Sequence, residues 1–490
     1  MKFFGLLALI IPFVSFSQIN EPININNSDF LDFNKNYANA QRLVGNVSMS
    51  QGNLTLTCDS AWFWKDKNKM EAFGRTFLSQ AGGIKVWSDK MIYDGNQKTA
   101  SAMSNVKMSD GKMSMTTDNV YYDVNSKIVY YNSWANISDG KNNMISRRGR
   151  YHTQSREYFF KDKIILTNPE YTMTCDTLNY NGNTKTAYFF GPTYIKSTDN
   201  LLYCNFGWYN TEKNTCSFSK KSYILSKENR IDSDSFRYNR NTGIGYANGN
   251  IKLSDTIQKI TITGQNGIHN RFEKTTLISG STKAIKINKN DTLIIKAMYF
   301  YDSFDTLTKK RNLAAFGKTS VFKSDMQSIA DSLNYSISDS IIKLFRNPVI
   351  WNDSNQSSGD TIIIEQKNNM INNMIIKQNS MVIMHETENK FNQIKGKKIT
   401  ALFSNNKLYQ INVKGSGQSL YWVKDDSSKY SGVNFIESSD IQIMTDSSKV
   451  KKVKFVTSPK GTFYPPSKLP AEKEKLKGFN WMPEKRPKRE

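Results

Sequence analysis

The stretch Cys175-Asp176-Thr177-Leu178-Asn179-Tyr180-Asn181-Gly182-Asn183-Thr184-Lys185-Thr186-Ala187-Tyr188-Phe189-Phe190-Gly191 holds one turn of a pattern that runs through most of the chain. Apolar and polar residues alternate up to Tyr180, which is strand periodicity. Asn, Gly and Lys then form a turn, since these residues cap turns or accept turn dihedrals. A second alternating run carries Ala187 and Phe189, and Gly191 interrupts it. No part of the stretch holds a helical period.

The same frame recurs with anchors at Asp59, Asp89, Asp118, Arg147, Asp176, Asn205, Asp234 and Asp331, the first seven spaced 29 or 30 residues apart. Four residues after each anchor stands an aromatic: Phe63, Tyr93, Tyr122, Tyr151, Tyr180, Tyr209, Tyr238 and Tyr335. Nineteen residues after each stands an aliphatic: Leu78, Met108, Ile137, Leu166, Ile195, Ile224, Leu253 and Ile350. A fixed period of this size means stacked units, each burying its apolar face against its neighbours. The pattern predicts an all-β, solenoid-like stack of short antiparallel strands, about three to a repeat, with like side chains forming continuous ladders. A half-unit anchored at Phe30 precedes the series. Degenerate units start at Gly264 and Ala297, the pattern blurs after Asp360, and alternating strands persist to about Val456.

The domain organisation expected is a signal segment over 1–18, a first stack over 19–263, a second, more degenerate stack over 264–457, and a tail over 458–490. A basic start at Lys2, a short apolar run from Phe3 to Phe16 and small residues after it read as a secretory signal. The run is too short to cross a bilayer, so the chain is expected to be exported and soluble. The tail carries Pro465, Pro466, Pro470, Pro483 and Pro487 among lysines and reads as extended and mostly unpacked, with Gly478-Phe479-Asn480-Trp481 able to dock on the last rung.

The net charge of +24 favours an anionic partner, and export disfavours nucleic acid. The alternative cause of the excess is lysine that simply blunts exposed strand faces and edges. Cys58, Cys175 and Cys204 share the position before the anchor, where other units carry Ser, Thr or Ala, so the slot selects small residues. Cys175 and Cys204 would lie on neighbouring rungs, which leaves a disulfide between them open. His152, His269 and His385 are scattered, and no phosphate loop, dinucleotide fingerprint, zinc-protease helix or nucleophile elbow is present. Eight equivalent anchors suit turn or bulge hydrogen bonding better than catalysis, which needs one special constellation. The chain reads as a non-enzyme with no cofactor and no metal.

The units Gly45-Asn46-Val47-Ser48-Met49-Ser50-Gln51-Gly52 before Asp59, Asn105-Val106-Lys107-Met108-Ser109-Asp110-Gly111 before Asp118, and Gly249-Asn250-Ile251-Lys252-Leu253-Ser254-Asp255 resemble the organic-solvent-tolerance (OstA/LptA-like) family of lipopolysaccharide transport. The resemblance covers roughly Phe30 to Ile350. It implies an open V-shaped β-jellyroll, or "β-taco", in the periplasm. It also implies a lipopolysaccharide partner, whose acyl chains lie in an apolar groove and whose lipid A phosphates meet basic residues. Other transport components, or a second copy paired through edge strands, are further partners it allows. The groove would be lined by Phe63, Tyr93, Tyr122, Tyr151, Tyr180, Tyr209, Tyr238, Leu78, Met108, Ile137, Leu166, Ile195, Ile224 and Leu253. The alternative reading is an exported structural or adhesive β-solenoid in which the same ladders form a closed core without lipid.

Overall fold

The computed structural model describes residues 21–489, apart from 35–38, 82, 228, 258, 288–290, 369, 388, 406, 426–427 and 447–448. The signal segment over 1–18 lies outside the described residues. The chain divides into two compact units. One holds the residues up to Thr198 together with Trp208–Glu212; the other holds Asp199–Gly207 and everything from Lys213 onward.

Both units are all-β and antiparallel, and the stacked frame read from the sequence is what forms. The repeat contains two strands rather than three. The unit anchored at Asp59 is made of Leu54–Trp64 and Lys69–Gln80, and the next of Lys85–Asp94 and Thr99–Ser109. What the sequence presents as a break fifteen residues after the anchor is a β-bulge inside a long strand. Around it, Thr57 pairs with Phe77 and Ser60 with Phe73, so Cys58 and Asp59 face three residues, Gly74, Arg75 and Thr76. An extra residue on one strand bends it and strengthens its twist.

The bend has a fixed chemistry. Two successive residues take left-handed φ: Gly74 and Arg75 at +70° and +41°, Ser104 and Asn105 at +65° and +50°, Gly249 and Asn250 at +79° and +48°. The anchor carboxylate of the preceding strand fills the space beneath. A Cβ on Gly249 would stand 2.3 Å from Asp234 Oδ2, which is why glycine recurs there. The carboxylate also accepts from the second corner residue: Arg75 on Asp59 at 2.7 Å, Asn105 on Asp89 at 2.6 Å, Asn250 on Asp234 at 2.9 Å. Where the anchor is Arg147, the polarity reverses, and Arg148 donates to Asp162 at the corner. The aspartate ladder is thus a corner brace, as its repetition implies.

The brace also corrects two readings. The first corner is Gly45 and Asn46, held by Asp29, so the early half-unit is anchored at Asp29 and not Phe30. The frame also continues past Asp360, which takes the amide of Asn379 at 3.0 Å, and a further corner stands at Gly415 and Ser416. The strands there lengthen to 15–18 residues, as in Met370–Thr387 and Lys407–Lys424, so the period is stretched rather than lost.

Bending every strand at one height divides each unit into two walls. Inward side chains of both walls make the core: Leu54, Leu56, Cys58, Ala61 and Phe63 from one strand, Met70, Ala72, Thr76 and Leu78 from the next. Hydroxyls in the crease satisfy corner carbonyls, as Thr76 Oγ1 does on Ser88 O at 2.7 Å. All four cysteines are buried thiols outside any disulfide. Burial, the largest influence, raises the thiol of Cys58 to about 11 and those of Cys204 and Cys216 to about 12.

Most described residues of the tail are exposed, as the sequence suggests, but the tail is docked through Leu476, and Phe479 and Trp481 pack as the sequence allows. Leu476 is buried in a cluster with Met381, Ile383, Leu420 and Val433, flanked by Phe391, Trp422, Phe435, Leu469, Phe479 and Trp481. The strand Met370–Thr387 is buried on both faces over Ser380–Ile383, because the tail covers its outer side while the core covers the inner.

Candidate functional site

The two walls of each unit meet along an apolar interior, and the ladder residues of the sequence reading lie on the inward side of their own unit. Phe63, Tyr93, Tyr122 and Tyr151, with Leu78, Met108 and Ile137, are 0–8% exposed. From Leu166 onward the interior loosens: Leu166, Tyr180, Ile195 and Tyr209 are half-buried. In the second unit Ile224 and Tyr238 are half-buried, whereas Leu253, Tyr335 and Ile350 are sealed. The interior is thus neither open nor closed throughout. Each unit has a tightly packed stretch and a stretch where the ladder is reachable.

What closes the mouth between the walls is polar. Tyr93 Oη donates to Gln51 Oε1, Tyr122 Oη to Gln80 Oε1, and Tyr151 Oη to Asp110 Oδ2 at 3.0 Å, with Tyr158 Oη reaching the same oxygen at 3.4 Å. Each clasp ties the aromatic position of one wall to the end of the other wall, 41 or 42 residues earlier in the chain. The acceptors stand two residues beyond the aliphatic position of the repeat. That position reads Gln51, Gln80, Asp110, Asp139, Asn168, Ser197, Ser226 and Asp255, polar every time. These residues were missed in the sequence, although a strictly polar position beside a strictly apolar one was the available signal. In the second unit Lys286 Nζ reaches Tyr335 Oη at 2.9 Å, and Arg311 bonds Asp255 and Asp302.

The electrostatics follow from enclosure. Burial pushes the Tyr122 hydroxyl up to about 12, with the Asp123 charge adding to it, and raises Tyr93 and Tyr158 as well. Burial pushes the Asp110 carboxyl upward. The N–H groups of Met113 and Lys112 and the hydroxyls of Tyr151 and Tyr158 outweigh it, so Asp110 stays below the ordinary carboxylate range. In the loosened stretch of the second unit, Ser222 Oγ and Tyr238 Oη are buried and find no hydrogen-bond partner among the described residues. A buried orphan hydroxyl is costly and calls for an explanation.

Among the described residues no group of His, Cys, Asp or Glu is placed to hold a metal ion. Among them, too, no helix is long and apolar enough to cross a membrane. A cavity of about 430 Å³ lies at the rim of the second wall of the first unit, where Met115, Ile137 and Met144 approach the surface beside Ile145 and Ile165.

A family model described as "OstA-like protein" matches residues 20–176 and 172–265, about half of the chain. No curated protein matches it.

Proposed function

We propose, for a chain that belongs to the OstA-like protein family, that it carries the acyl chains of lipopolysaccharide through the periplasm between its two walls and does no covalent chemistry. The observation that carries this reading is the mouth. The walls face each other across stacked apolar side chains, and in the first unit side-chain hydrogen bonds tie one wall to the other there. Such bonds are worth about 1 kcal/mol each. An acyl chain gains about 0.8 kcal/mol for each CH₂ it removes from water, so a few methylenes outweigh a clasp. The half-buried Leu166, Tyr180 and Ile195 are the natural first contacts, and the orphan hydroxyls of Ser222 and Tyr238 suit the ester or hydroxyl groups near the head of such a lipid. Repeating rungs present nearly equal sites, so a chain can shift from one to the next without a deep trap.

A closed structural solenoid is the second reading, favoured by the dense packing from Phe63 to Ile137. Photo-crosslinking residues placed at Tyr180, Ile195 and Tyr122 in cells separate the two. Lipopolysaccharide adducts are expected at Tyr180 and Ile195, and more weakly at the clasped Tyr122. Adducts confined to surface lysines, with none at the ladder, would sink the lipid reading.

A further inference from the structure

The turns along the aromatic rim of both units follow one rule, and two of them depart from it. In these turns an Asp or Asn side chain accepts the N–H of the residue two positions on. Asn96 donates in this way to Asp94, Asn125 to Asp123, Asn183 to Asn181 and Asn241 to Asn239, at 2.9 or 3.0 Å. The asparagine in that slot then donates its own amide to the carbonyl of the turn before, at Lys67, Gln97, Ser155 and Lys213. Further along the second unit the slot holds Phe272 and then Leu307. Their N–H groups still bond Asn270 and Asp305, at 3.0 and 2.9 Å, so the turn itself is unchanged. The bridging amide is gone, and the side chains that replace it are 66% and 93% exposed. Exchanging a turn-to-turn hydrogen bond for a large apolar side chain held in water is unfavourable for the fold.

The two turns are neighbours on the stack. Arg271 N donates to Gly243 O and Phe304 N to Lys274 O, at 2.9 and 3.2 Å, so each turn rests on the one before. Lys274 Nζ stands 5.2 Å from the centre of the Phe304 ring. Across the mouth the opposite rim carries Ile257 and Ile287, each 62% exposed. Arg311 bonds Asp255 there, which draws the two rims together. The segments 255–259, 270–274, 286–291 and 305–311 hold eight lysines and arginines against four acidic residues. Asp339 pairs with Lys310 and Asp302 with Arg311, and the balance stays positive with both included. The apolar side chains therefore stand singly on turn tips, among basic ones. Lysine is depleted at protein–protein interfaces. Apolar tips ringed by Lys and Arg fit the boundary of an anionic bilayer instead, where headgroups meet the charge and the acyl region takes the tips.

We infer that this rim of the second unit docks on an anionic membrane surface, with Phe272 and Leu307 entering the headgroup region and Lys274, Lys309 and Lys310 meeting its anions. Docking there turns the mouth of this unit toward the bilayer. The Asp and Asn caps hold both turns in shape without the lost amide bridge, so the tips are rigid and presented in advance. The surface lies outside the walls, and its use does not depend on a lipid track between them.

The test is sedimentation of the full chain with phosphatidylcholine vesicles with and without phosphatidylglycerol. Binding should need the anionic lipid and fall with added salt. The double variant Phe272→Asn with Leu307→Asn restores the side chain that the other turns use. Its thermal unfolding should match or exceed the parent's, while its vesicle affinity drops by about tenfold for each tip. Lys274→Gln and Lys309→Gln should each weaken binding about fivefold. All four native thiols are buried, so an environment-sensitive dye can be placed on Leu307→Cys. It should shift to the blue with anionic vesicles, whereas the same dye on Asn125→Cys, in a polar turn, should not. Vesicle binding that survives the two asparagine substitutions comes from another part of the chain and overturns the proposal. So does self-association of the parent that the double variant abolishes in the absence of any vesicle binding, since it gives the tips to a second copy.

Discussion

Tyr122→Phe tests the clasp directly. The Tyr122 ring is 2% exposed and its hydroxyl donates to Gln80 Oε1. Phenylalanine keeps the ring and its packing and removes only the donor. Gln80 is half-buried, so water can replace the lost partner on its outer side. The loss should therefore be that of one neutral hydrogen bond, about 1 kcal/mol, without the further cost of a stranded buried acceptor. Tyr122→Ala, which also empties the ring's volume, should cost about 3–5 kcal/mol. Two compact units make a single global unfolding curve ambiguous. Hydrogen exchange of the amides in Ser114–Asp123 under native conditions reads the local opening free energy instead. Tyr93→Phe should cost more, by about 1–3 kcal/mol, because its acceptor Gln51 is 5% exposed and would be left stranded; the two together should add, since the rungs are about 10 Å apart. With both clasps cut, lipid crosslinking at Ile137 should rise toward that at Ile195. If the double Phe variant opens no more readily than the parent while Tyr122→Ala pays the full amount, the hydroxyls do not hold the mouth and the gating argument fails.

Alkaline pH should unzip the same ladder. Tyr122 is raised by burial to about 12, so its contribution is whole below the ordinary tyrosine value of about 10 and is lost as pH rises through about 12; a pH titration of unfolding with no loss of stability over that interval contradicts the burial described. Acid acts on Asp110 in the opposite sense: its depressed carboxyl stabilises the fold above the usual carboxylate range and releases Tyr151 and Tyr158 as pH falls below it, an effect Asp110→Asn should abolish in the same exchange measurement. Gly249→Ala should cost about 1–2 kcal/mol from its left-handed φ and more from its meeting with Asp234, and Asp234→Ala in the same chain should recover the second part; denaturant unfolding of the two variants decides, and equal stability of both would show the corner has room. The four thiols, three of them raised to about 11 or 12, should react with a thiol reagent only on unfolding, and fast native labelling would contradict their burial.

Much of this was open to reading because the repeat writes one environment many times. Any position constrained by the core, such as Tyr122 or Leu78, shows up as a column. The strand count was misread because Gly74 and Gly191 look like strand ends, whereas paired left-handed residues bend a strand without ending its ladder. At Lys220 and Lys221 the same bend carries no turn residue at all, so composition could not reveal it. The later corners escaped because their strands are longer, which moves each column out of step. The clasp escaped because its partners lie a unit and a half apart, and a period search compares like positions, not opposed ones. The docked tail is foreshadowed by Phe479 and Trp481, and a second trace is the apolar run Met381–Ile383, part of four buried residues in a row where a strand covered on one side alternates.

The corner brace has a last implication, for length. Each corner brace, and each clasp of the first unit, refers only to residues within about one and a half units, so removing or inserting one whole unit there leaves the other braces and clasps intact. A partial unit would turn inward faces outward along everything that follows. Growth is therefore quantised in steps of two strands, about 10 Å. Length within a unit can therefore change by whole repeats without altering the chemistry of any remaining brace.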